Sequence, residues 1–187
     1  MKHCMVDLET FSTNNDAVII SIGAIVFDPT KPTDEDDASF HVCVTPMWQD
    51  RYKRHMNAET VMWWMDPERA GAWKEWVDTL KFDLPTALEG FQMFLAQNEA
   101  TQDILRVWGN GASFDNVILR SAYAATGQEC PWNYYNDRCF RTLKNLTKDA
   151  KSLEPERAGT HHNALDDARH QVAWLRMIAR MRGLTLS

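Results

Sequence analysis

Apolar and polar positions along the chain fall into two regimes. Near the N-terminus the apolar runs are short and β-rich. HCMVDLET ends in charge, AVIISIGAIVFDP is β-branched and stops at Asp28-Pro29, and SFHVCVTP alternates and ends at Pro46. These predict strands one to three, the second largely buried, joined by short links as an antiparallel meander. TKPTDEDD is an acidic, turn-like connection between strands two and three.

Helical spacing then takes over. NAETVMWWMDPE predicts a helix capped by Asn57, and AGAWKEWV continues helically. In LPTALEGFQMFLAQN, Leu88, Phe91, Phe94 and Leu95 share one face. DILRVWGNG predicts a fourth strand, and SFDNVILRSAYAATG a helix closed by Gly127. PWNYYND reads as an aromatic loop, and RCFRTLKNL fits a short strand or a helix. EPERAGTHH reads as a loop, and NALDDARHQVAWLRMIARMRG as a long last helix ending at Gly183. Strands first, then strand alternating with helix, predicts an α/β fold with helices packed on a mixed sheet. No repeat or linker divides residues 1–187, so one domain is expected.

Composition narrows the class. The chain is 44% apolar and has a net charge of −6. An acidic balance disfavours coating nucleic acid by charge alone, but not handling it at a site loaded with cations. No stretch approaches 18 consecutive apolar residues, so no membrane span is expected. Cys4, Cys43, Cys130 and Cys139 form no CxxC pair, and MKHCMVDLET has no long apolar stretch of the kind a secretion signal carries. The expectation is reduced thiols in a cytoplasm.

Three stretches place acids where acids are costly. In VDLET, Asp7 and Glu9 sit two apart on a strand and so share a face. In GNGASFDN, Asp115 opens a helix after a glycine turn. In HHNALDDARH, either His161 with Asp166 or His162 with Asp167 sets an imidazole five residues before a carboxylate. Ala164, Ala168, Val172, Leu175 and Ala179 define an apolar arc, and Asp167 lies roughly 100° from its centre where Asp166 lies about 160° away. Asp167, paired with His162, is therefore the better candidate to face a site between helix and sheet. Asp166 and His161 are expected to be solvated, Asp166 pairing with His170 four residues on. Each stretch alone is a weak signal, and the first two taken singly fit a solvated strand face and a helix N-terminus better. Together, four carboxylates suit two Mg²⁺ or Mn²⁺ ions, and a loop histidine can take a proton from water.

Asp7-x-Glu9, Asp115 and His162-x4-Asp167 resemble, in order and spacing, the three motifs of the DEDDh exonucleases. Position 111 is Gly where many members carry Asn. The resemblance spans residue 5 to about 180. It implies a DnaQ-like, RNase H-like fold and a 3′–5′ exonuclease that releases nucleoside 5′-monophosphates. It also implies two Mg²⁺ or Mn²⁺ ions held by Asp7, Glu9, Asp115 and Asp167, with His162 as general base. WGNGASFDNVILRSAY, PWNYYND and NAETVMWWM look most like small enzymes of bacteria and phages, exoribonuclease-like or exonuclease VIII-like, which are often homodimers. The partner would be DNA or RNA with a free 3′ end. Leu8, Thr10, Phe11, Asn110, Phe114 and Trp64 are candidates to touch it, the alternative for each being core packing or a plain turn. Of Trp63 and Trp64, one is expected in the core and the other beside a base. Trp132, Tyr134 and Tyr135 could cover the site or a dimer surface, or be a plain packed loop, and Arg138, Arg141, Lys144, Lys148 and Lys151 could track phosphates, a solvated face being the commoner explanation. Two other functions fit the same residues: a module that holds nucleic-acid ends without cutting, and a hydrolase of dinucleotides or short oligomers.

Overall fold

The structure is a computed structural model that describes residues 2–31 and 33–186. Among the described residues six strands form one sheet in the order β4-β3-β2-β1-β5-β6. β1 (Lys2–Thr10), β2 (Ile19–Phe27) and β3 (Ala38–Val44) make the expected antiparallel meander. β5 (Leu105–Gly109) pairs parallel with β1, and β6 (Asp137–Cys139) parallel with β5. β4 (Lys81–Phe82) is a two-residue strand on the far edge, too short to leave a periodic signal. The 29–37 connection is loop, apart from Pro32, which lies outside the described residues.

β1 and β2 are buried on both faces, and alternation sorts their side chains. Cys4, Val6 and Leu8 face a core built with α3 (Leu84–Gln97) and α4 (Asp115–Thr126). Met5, Ile25 and Phe27 face the other way, against Ala168, Val172, Leu175 and Ile178 of α6 (Ala164–Arg182). By the same period, Asp7 and Glu9 belong to the α6 face. A third cluster joins Phe11, Val18 and Ile20 to α1 (Ala58–Trp64) and α2 (Ala70–Asp78).

The local signals act as their chemistry requires. Asn57 accepts from the Glu59 and Thr60 amides to cap α1. Gly127 and Gly183 take the left-handed conformation that ends α4 and α6. Residues 138–146 resolve into both readings left open, β6 running directly into α5 (Phe140–Leu146). No helix among the described residues is long and apolar enough to cross a membrane.

One glycine governs how α6 meets the sheet. Gly23 pairs with Asp7 across β2 and β1. A Cβ there would lie 2.2 Å from the Ala164 carbonyl carbon and 2.3 Å from the Leu165 nitrogen. Only a residue without a side chain lets the α6 N-terminus sit this close to the strand, which brings Asp167 over Asp7 and Glu9.

Candidate active site

Asp7, Glu9 and Asp167 converge, each offering an oxygen within 4.8 Å of the others. They lie in a cleft of ≈ 610 Å³ that also holds Asp115, Asn110, Phe114, Arg157, His162 and Gln171. A larger groove of ≈ 920 Å³ lies between the C-terminal half of α6 and the 29–37 loop, and has none of these acids. The site is assigned to the smaller cleft because the costly charges are there.

Asp115 stands beside the trio with both oxygens already engaged. Oδ1 accepts from the Leu8 amide at 3.1 Å, and Oδ2 from the Asn110 amide at 2.9 Å. Gly109 permits this, since a Cβ there would lie 2.9 Å from Asp115 Oδ2. Burial raises the Asp115 carboxyl to about 6, against the two amides, which favour its charged form. Burial also lifts Asp7 well above the usual carboxylate range, and the charges of Asp115 and Asp167 add to it. Glu9 is raised in the same way, by burial and then by Asp7 and Asp167. Like charges held together in a poorly solvated floor call for a cation.

Two residues answer that charge within the chain. Gln171 Nε2 donates to Asp7 Oδ1 at 2.6 Å. Arg157 pairs with Asp167 Oδ1. Neither was anticipated. Gln171 lies four residues after Asp167, the spacing that shares a helix face, so that signal was present. Arg157 comes from an aperiodic loop and left none. Among the described residues, Asn110 Oδ1 and Gln171 Oε1 are buried oxygens without a donor. An all-oxygen set with charge in excess and acceptors to spare fits Mg²⁺ or Mn²⁺.

His162 overhangs the acids on the loop before α6. It is a non-glycine residue with φ 67°, and its amide donates to Asp167 Oδ2 at 3.2 Å. Trp63 packs edge-on against its ring at 4.8 Å. Burial and the neighbouring His161 depress its pKa. The register chosen from helix geometry matches: Asp167 is 8% exposed and turned into the cleft. Asp166 does not pair with His170. It accepts from the Thr160 amide and pairs with Arg169, whereas His170 pairs with Glu154 at 3.2 Å. Arg169, three residues on, and the Thr160 amide take the two Asp166 oxygens, and Glu154 of the preceding loop takes His170 because the chain folds back before α6.

The expected nucleic-acid contacts divide. Leu8, Thr10, Asn110 and Phe114 line the cleft. Phe11 does not: it packs against Trp73 and Trp76 in the third cluster. Trp64 borders the cleft but is buried, its indole N–H donating to the Thr10 carbonyl at 3.0 Å. Trp63 is the exposed member of the pair. Trp132 is core, while Tyr134 and Tyr135 are exposed away from the cleft lining. Of the five basic residues, Arg141 and Lys144 reach the cleft.

A family model described as the 3′–5′ exoribonuclease Rv2179c-like domain matches residues 2–179. No curated protein sequence matches the chain. Among solved structures, cell-death related nuclease 4 (CRN-4) is similar at TM-score 0.65 and 18% identity, with 96% of this chain and 64% of that one covered. The nuclease domain of 3′hExo, a DEDDh family member bound to rAMP, gives TM-score 0.65 and 17% identity over 100% and 94%. Pop2p of S. pombe, in a Mg²⁺- and Mn²⁺-bound form, gives 0.61 and 16% over 96% and 83%. The chain thus spans under two thirds of CRN-4 and nearly all of the 3′hExo domain.

Proposed function

For a chain that belongs to the Rv2179c-like 3′–5′ exoribonuclease family, and is thereby a 3′–5′ exonuclease with the RNase H-like fold of the DEDDh enzymes, we propose hydrolysis by two divalent ions and a histidine base. The carrying observation is the convergence of Asp7, Glu9 and Asp167 within 4.8 Å in a cleft that His162 also lines. Asp7, Glu9 and Asp167 would hold Mg²⁺ or Mn²⁺ directly. Asp115, whose oxygens already take two amides, would act through water. Bound ions would neutralise the phosphodiester and acidify the attacking water.

The remaining work falls to the chain. Gln171 holds Asp7 in one orientation. His162, kept neutral by burial, takes the proton of the attacking water on a ring nitrogen. The new P–O bond forms as the bond to the 3′-oxygen breaks, releasing a nucleoside 5′-monophosphate. Phe114 and Trp63 offer apolar surface to the terminal nucleotide, whereas the Leu8 side chain is buried in the core. Arg141 and Lys144 offer charge to the phosphates that follow. The family description makes RNA the first substrate to try.

The test is digestion of matched 5′-labelled RNA and DNA oligomers of graded length, with Mg²⁺, Mn²⁺ or chelator. The expected result is a ladder shortening from the 3′ end, lost with chelator and reduced by about 10²–10⁴ in His162→Ala. Undiminished cutting by His162→Ala would remove the histidine from the scheme. A preference for dimers over longer oligomers would favour a short-oligomer hydrolase.

A further inference from the structure

A second set of potential ligands shares one residue with the acidic trio and differs in chemistry. We propose that His161, His162 and Asp167 form an inhibitory site for Zn²⁺, distinct from the all-oxygen site and able to take His162 out of use.

Adjacent residues in an extended chain point apart, but the left-handed turn at His162 prevents this here. The His161 and His162 rings lie stacked, 3.9 Å between centroids and 29° between planes. Each ring and the Asp167 carboxylate offer a donor atom within 4.8 Å of the other two. Two imidazoles and one carboxylate are a common zinc set with a fourth position left to water. Tetrahedral geometry at about 2.0–2.1 Å needs donors about 3.3 Å apart, so the three must draw inward. His161 is exposed, and its ring can turn to do so. Asp167 Oδ1 is with Arg157, and Oδ2, which accepts the His162 amide at 3.2 Å, keeps a second lone pair for this purpose.

Hard Mg²⁺ gains little from imidazole, whereas Zn²⁺ binds it well. The two sets therefore sort ions by kind: oxygen-seeking ions to Asp7, Glu9 and Asp167, and an imidazole-seeking ion to the histidines. An ion on the His162 ring nitrogen occupies the lone pair that would accept the proton. The inhibition rests on His162 serving as the base. The binding does not, so the two can fail separately.

The experiment uses the full chain in excess Mg²⁺. Zn²⁺ affinity is measured by competition with a chromophoric chelator, and Co²⁺ serves as a spectroscopic substitute through its visible d–d bands. Hydrolysis of a labelled oligomer is followed across the same Zn²⁺ range. One Zn²⁺ per chain should bind and inhibit. His161→Ala should weaken binding at least about tenfold and raise the half-inhibiting Zn²⁺ concentration equally, each read against the variant's own Mg²⁺-supported rate. Asp7→Asn should still bind Zn²⁺ and give the same Co²⁺ spectrum. Zn²⁺ binding unaffected by His161→Ala, or abolished by Asp7→Asn, would overturn the site. Tight Zn²⁺ binding without inhibition would keep the site and reject its effect on His162.

Discussion

Replacing Asp7 with Asn should make the metal-free protein more stable while removing its response to metal. Asn keeps the size of Asp and keeps an oxygen to accept from Gln171 Nε2, now at 2.6 Å. What it removes, at a pH high enough to ionise all three, is one charge from a trio whose oxygens lie within 4.8 Å. Two unit charges at that distance repel by about 3–4 kcal/mol at an effective dielectric of about 20. Arg157 offsets part of this, since it favours the charged form of Asp7. A net gain of about 2 kcal/mol is therefore expected. For a domain of this length it raises Tm by about 4–8 °C. Wild type should gain about 2.7 kcal/mol at Mn²⁺ a hundredfold above Kd, and Asp7→Asn should gain far less. Thermal unfolding in chelator and in Mn²⁺ measures both. A variant less stable than wild type in chelator, and stabilised by Mn²⁺ as much, would refute the argument that these acids are held together at a cost for a cation.

The raised acids set a pH dependence in chelator. Their folded-state pKa lies above the unfolded one, so the folded state binds more protons between the two and stability falls as pH rises through the folded value. Tm in chelator should drop from pH 5 to 8 across the Asp115 value of about 6, and Mn²⁺ should abolish the slope. The depressed His162 pKa places the acid limb of the rate profile below 6.5, and an acid limb above that value in wild type counts against His162 as the base. Gly23→Val should cost the site as well as the fold, because its side chain meets the α6 backbone. Its Mn²⁺-induced Tm shift should vanish, and a full shift would refute the role given to that close approach. Asp37→Ala should lower Tm by about 6–20 °C, since it strands buried Arg176 without its two-bond partner. A change under 2 °C would show that the pair contributes little.

What the sequence revealed follows from which forces are periodic. The three-stranded meander and α6 were legible because alternation and helical spacing record which side is buried, and the same geometry chose Asp167 over Asp166. β4 was not legible, because two residues have no period. The Asp166–His170 pairing failed because helical neighbours compete with a loop that returns to the helix, as Thr160 and Glu154 do. Phe11 and Trp64 were expected at the nucleic acid, but aromatic bulk beside a motif fits a core equally well, and α1 and α2 supply that core. Gln171 could have been read from its spacing to Asp167. Arg157 could not, since only the folded loop brings it there.

The central claim is that Asp7, Glu9 and Asp167 cage divalent ions for hydrolysis from the 3′ end. Crystals grown with Mn²⁺ and a nucleoside 5′-monophosphate test it most directly, through the anomalous signal of manganese. The account predicts manganese peaks among those three carboxylates, with the phosphate beside them and His162 facing it. Manganese bound elsewhere, with the three side chains apart and the nucleotide outside the cleft, would contradict it.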